Sequence, residues 1–142
     1  MGSNWKGPEG EREVERLCRA KGYKKARRML GAGRKDDVGD IDGMPLLCLQ
    51  VTRVKTALTT KLYEKLPKTE TERLNRRVPF AAIFARLDHK PWLVCMTPNQ
   101  FYRLYHYALI GYDVARRNKA ATMSADDRIG PERRSPRRVS TG

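Results

Sequence analysis

The sequence predicts an α/β fold: a mixed β-sheet layer flanked by helices, with elements in the order α-β-β-β-α-β-β-α. Three observations predict it. Residues 46–54 form an apolar run of strand length, set off by a Gly43-Met44-Pro45 turn. Two further apolar runs, 80–87 and 92–96, are joined by the turn-forming Asp88-His89-Lys90-Pro91. Between and around these runs lie segments with helical spacing and helix stop signals. At 142 residues and 39% hydrophobic content, the chain suits one domain with one core.

Taken in order, residues 1–8 are polar and read as a flexible N-terminus. Residues 9–21 read as a helix whose buried stripe is Val14, Leu17 and Cys18, stopped at Gly22. A short first strand is expected within 23–29, then a flexible basic loop, Gly31-Ala32-Gly33-Arg34-Lys35. Residues 38–42 read as the second strand and 46–54 as the central one. Thr59 or Thr60 is expected to cap a helix that Pro67 interrupts and that resumes over 69–77. The 80–87 and 92–96 hairpin leads into Thr97-Pro98-Asn99-Gln100, a capping box with proline at the first helical position. The last helix is expected to turn Phe101, Leu104, Tyr105 and Ala108 inward. The folded domain thus spans 9–112. Low hydrophobicity and Pro, Ser and Gly content predict a basic, disordered tail over 113–142. From residue 115 onward that tail carries eight basic residues against three acids.

Charge narrows the function classes. Thirty Lys and Arg face sixteen Asp and Glu, a net +14, which favours a polyanionic partner, most simply nucleic acid. No apolar run reaches the ~18 residues of a membrane span, and no secretory leader pattern is present. Cys18, Cys48 and Cys95 are odd in number, lack a Cys-x-x-Cys pair and sit among apolar neighbours, as reduced thiols of a cytosolic protein do. Neither histidine, His89 or His106, has zinc-ligand spacing to a cysteine. No Gly-rich nucleotide loop or Gly-x-Ser-x-Gly elbow is present.

The chemistry-bearing stretch is Asp36 to Gly43, DDVGDIDG, running into LLCLQVTRVK at Leu46 to Lys55. Strand alternation puts Cys48, Gln50 and Thr52 on one face of the central strand, with Leu47, Leu49 and Val51 on the other. A turn centred on Met44 puts Asp40 beside Cys48, on the face that carries Gln50; a tighter turn puts Asp37 opposite Gln50 instead. Clustered aspartates in a basic protein suit Mg²⁺ or Mn²⁺, an ion that polarises a phosphodiester and acidifies water. Glu11, two turns before Cys18, borders the buried stripe of the first helix. A solvated acidic turn accounts for the same letters.

These residues resemble the archaeal-type Holliday junction resolvases of the PD-(D/E)XK nuclease superfamily, and more closely their relatives in actinobacterial phages. The likeness runs in order over about residues 6–109. It comprises Lys6-Gly7 with Glu11-Arg12-Glu13, Gly22-Tyr23, Arg28 with the Gly31-Ala32-Gly33 loop, Gly39-Asp40-Ile41-Asp42-Gly43-Met44-Pro45, Leu47 to Val51, and Trp92 to Leu104. It implies a restriction-endonuclease-like core and a homodimer acting on branched DNA in recombination or repair, in the cytoplasm of a bacterial host. It assigns Mg²⁺ or Mn²⁺ to Glu11, Asp40 or Asp37, and Gln50, with Asp42 a third candidate aspartate. Arg28, Arg34, Lys35 and Lys55 would hold the DNA backbone. Two letters depart from the pattern. Gln50 stands where the family has a metal-binding glutamate, and Thr52 where it has a lysine. Lys55 or Lys61, or Lys65 further along the same helix, would have to supply the missing ammonium. The alternative is a DNA-binding protein on the same fold with weakened or lost chemistry. A third reading is an interaction protein whose basic tail binds RNA or a nucleoprotein.

Overall fold

The structure, a computed structural model, describes residues 6–30 and 39–128. Its elements are α1 (Lys6–Ala20), β1 (Arg27–Arg28), β2 (Ile41–Asp42), β3 (Leu47–Val54), α2 (Leu58–Arg76), β4 (Phe80–Leu87), β5 (Leu93–Cys95) and α3 (Pro98–Arg128). Among the described residues the architecture is α/β, with one five-stranded mixed sheet and three helices, and strands lie side by side in chain order. Only β3 and β4 are parallel, and α2 makes the crossover that a parallel pair requires. The other neighbours are antiparallel.

Local chemistry explains the boundaries. Helix α1 closes on Gly22, at φ +101°, whose N–H donates to Arg19 while Tyr23 N–H donates to Cys18, the paired bonds of a Schellman stop. Gly43, at φ +80°, is irreplaceable on space as well as conformation, because a Cβ there would overlap the Lys25 carbonyl. The expected caps at Thr59 and Thr60 are not used. Helix α2 starts one residue after Ala57, a left-handed residue with no side-chain cap. Pro67 does not interrupt α2. It and Tyr63, whose carbonyl loses its i+4 donor, lie on the exposed side, where water can replace the missing bond. At α3 half of the capping box forms: Gln100 N–H donates to Thr97 Oγ1 at 3.2 Å. The Gln100 side chain turns inward instead, accepting from Ala81 N–H and donating to Glu70.

The core lies between α1 and one face of the sheet: Val14, Cys18, Ala26, Ile41, Leu49, Val51 and Ala82, with Phe84, Trp92 and Met96 packed against it. Cys18 and Cys48 are buried free thiols; Cys95 is free and half-buried. Leu17 is exposed rather than part of the stripe.

The chain divides into a compact unit through Arg103 and a second from Leu104. In the second, the helix continues to Arg128, past the point where the sequence predicts disorder. Alanines and basic residues over 115–123 are good helix formers, which accounts for the extension. Phe101, Leu104, Tyr105 and Ala108, expected inward, are exposed. Among the described residues no helix is long and apolar enough to cross a membrane.

Candidate functional site

The sheet register decides where the acidic hairpin points. Ile41 pairs with Leu49, and Asp40 N–H donates to the Leu49 carbonyl at 3.0 Å. The ladder ends at that pair; Asp40, just before it, reaches the Leu49 carbonyl with its N–H and the Val51 N–H with its carboxylate. Ile41 and Leu49 face the α1 core, so alternation turns Gln50 and Thr52 to the other face, towards α2. Asp37, Arg34 and Lys35 lie outside the described residues.

Strand β2 is only two residues long, so β3 runs past it with backbone groups to satisfy. Side chains take them. Asp40 Oδ2 accepts from Val51 N–H at 2.8 Å, and Lys65 Nζ donates to the Val51 carbonyl at 3.0 Å. One residue of the central strand is thus held by an aspartate from the hairpin and a lysine from α2.

Glu11 completes this end of the site. Its Oε2 accepts from Arg28 Nε at 3.0 Å, and both side chains are largely shielded from water. Burial pushes the Glu11 carboxyl above its ordinary 4.5; the bond from Arg28 opposes this, Asp40 repulsion adds to it, and Lys65 also opposes it. Burial likewise pulls the Lys65 ammonium below its ordinary 10.5. Asp40 and Glu72 pull it back up, while Lys68 and Lys61 push it further down. Glu11, Asp40 and Lys65 therefore feel one another's charge.

On the same face, Gln50 Nε2 donates to Glu72 Oε2, and Lys68 Nζ lies 3.6 Å from Glu72 Oε1. Glu72 is 2% exposed and Gln50 4%. Thr52, 3% exposed, buries a hydroxyl with no hydrogen-bond partner among the described residues. Helix α2 thus turns a polar stripe, Lys65, Thr69, Glu72 and Arg76, towards the sheet.

The structure sorts the remaining expectations. Asp42 is committed to Arg76 at 2.7 Å and Arg27 at 3.1 Å; a backbone N–H at Gly43 lowers its carboxyl pKa first, burial opposes this, and the two arginines lower it further. Lys61 lies on the surface, 3.4 Å from Glu64, and Lys55 is exposed beyond the end of β3. Neither stands where Lys65 does. Arg28, expected on DNA, is the ion-pair partner of Glu11. Glu72 escaped the sequence reading altogether. Its one signal is helical spacing, since it lies seven residues after Lys65 and shares its stripe.

Chemically the site offers carboxylate, amide and hydroxyl oxygens beside an ammonium. Hard oxygens of this kind are the ligands Mg²⁺ and Mn²⁺ take. Among the described residues no three Asp, Glu, His or Cys side chains gather closely enough to form a ready-made cation cluster. No known family model, curated protein or solved structure matches the chain.

Proposed function

We propose that this protein is a Mg²⁺-dependent, structure-specific endonuclease of the PD-(D/E)XK class, most like a Holliday junction resolvase. The observation that carries this reading is that Asp40 and Lys65 both bond the Val51 backbone, on the strand where the resemblance expects the site, with the Glu11 carboxyl near enough to feel the charge of both. Glu11, Asp40 and the Gln50 amide oxygen would hold the cation. Mg²⁺ bound there would supply positive charge to the phosphate and acidify the attacking water. Lys65, rather than Lys55 or Lys61, takes the place of the lysine missing at Thr52. Burial lowers its proton affinity, as suits an ammonium that positions a nucleophile and yields a proton readily. The +14 charge draws in the DNA backbone, and a homodimer would present two such sites to a symmetric junction.

The test is nicking of a synthetic four-way junction with Mg²⁺. Paired, symmetric nicks that disappear with Asp40→Ala are expected. Absence of nicking, or equal nicking by the variant, overturns the reading.

The second reading, a DNA-binding protein without the chemistry, draws on a specific observation. Asp40 and Lys65 both bond the Val51 backbone, so each has a structural use. This reading predicts tight, salt-sensitive junction binding that is indifferent to metal. Manganese binding that Asp40→Asn abolishes would exclude it.

A further inference from the structure

The proposed cation site has an apparent flaw at Gln50. An amide offers two unlike ends, and only its oxygen can ligate a cation. A freely turning glutamine would present its NH₂ as readily.

Glu72 removes that ambiguity. An ionised carboxylate only accepts hydrogen bonds, so it can bind the Gln50 amide by one end alone, the NH₂. Glu72 holds that end from helix α2, with Lys68 beside its other oxygen as a positive partner. Nε2 and Oε1 diverge from the same carbon. With Nε2 fixed on Glu72, Oε1 points away from it, and no described residue donates to that oxygen. Gln50 and Glu72 are almost wholly buried, but Gln50 Oε1 is not among the fully buried side-chain atoms left without a partner in the described residues. Two residues along the same face, the Thr52 hydroxyl is buried without a partner among the described residues. Two uncommitted oxygens thus occupy the strand positions nearest Asp40.

We infer that Glu72 is a positioning residue that locks the Gln50 amide with its oxygen towards a divalent cation. The negative charge missing from the strand sits one hydrogen bond behind the ligand, on the helix. This inference rests on the cation site proposed above. The Gln50–Glu72 pair together does what a single strand glutamate would do: one oxygen ligand, with one negative charge behind it.

The test is calorimetric titration of the full chain with Mn²⁺ alone. It compares wild type, Asp40→Asn, Glu72→Gln and the exchange Gln50→Glu/Glu72→Gln, each first checked for folding by circular dichroism and thermal melting. In Glu72→Gln two amides face each other and either end of Gln50 can be satisfied, so Mn²⁺ affinity should fall about tenfold or more. In the exchange the amide at 72 donates to the carboxylate at 50, and affinity should return to the wild-type value or exceed it. Wild-type affinity in a folded Glu72→Gln protein overturns the inference while leaving the cation site standing. An exchange that folds but binds no better than Glu72→Gln does the same. If wild type binds no Mn²⁺, or Asp40→Asn binds as wild type does, the cation site falls and the inference falls with it.

Discussion

The two faces of strand β3 carry opposite chemistry. Towards α1, Leu49 and Val51 bury hydrocarbon against Val14, Cys18 and Ile41. Towards α2, beside the buried Cys48, Gln50 and Thr52 bury polar atoms, and Gln50 bonds the buried Glu72. A fold of this size does not need a second face of that kind. Burying an amide, a hydroxyl and a carboxylate costs free energy that hydrogen bonds only partly return. The first face stabilises the protein; the second is maintained against stability, which is where function is expected to reside.

The contrast can be broken from either side. The largest expected effect is on the polar face: Lys65→Met should cut junction nicking roughly 100-fold or more, the scale of a lost proton-transfer or positioning group. The melting temperature should fall by only a few degrees, as loss of the donor to the Val51 carbonyl costs about 1–3 kcal/mol, too little to explain such a rate loss by unfolding. An unchanged rate would remove Lys65 from the mechanism. On the apolar face, Leu49→Ala should destabilise the fold by about 2–5 kcal/mol in urea unfolding, with metal affinity preserved in the folded fraction. Thr52→Val exchanges a buried, unpartnered hydroxyl for a methyl group. It should stabilise the protein by about 1 kcal/mol, and a loss of stability would reveal a partner for the hydroxyl.

The smallest effect is a pH slope, read in metal-free buffer. Burial first, then Asp40, raises the Glu11 pKa above 4.5 against Arg28 and Lys65. Between the unfolded and folded values the native state binds more protons than the unfolded one, so stability falls as pH rises through that window. Glu11→Gln should remove that decline and flatten the profile just above pH 4.5. Lys65 works in the opposite sense below 10.5. There the unfolded state holds more protons, and stability rises with pH.

Much of the fold was legible in the sequence because its signals are local. The Gly22 stop, the Gly43 turn and the Thr97 cap each act within a few residues, and each is made. Pro67 misled because its cost depends on which side of α2 meets water, and the chain itself does not record that. The inward face assigned to α3 failed for the same reason, since apolar spacing does not say whether a neighbour is present. At the site, strand alternation was enough to bring Gln50 and Thr52 to one face, but not to choose between Asp40 and Asp37, because register is set by the turn and not by the letters. Glu72 and the role of Lys65 depend on how the crossover helix is turned against the sheet, a matter of three-dimensional packing.

The parallel crossing from β3 to β4 has a consequence for how such proteins are recognised. A linear signature looks for charged letters two places apart on a strand. Here the groups facing that strand come from a helix, Lys65 fourteen positions after its partner Val51 and Glu72 twenty-two after Gln50. Because the crossover lays α2 over the strand, a charge can move from sheet to helix while staying at nearly the same point in space. Under the nuclease reading proposed above, a template written in coordinates would tolerate that exchange, whereas one written in letters would read the same chain as broken.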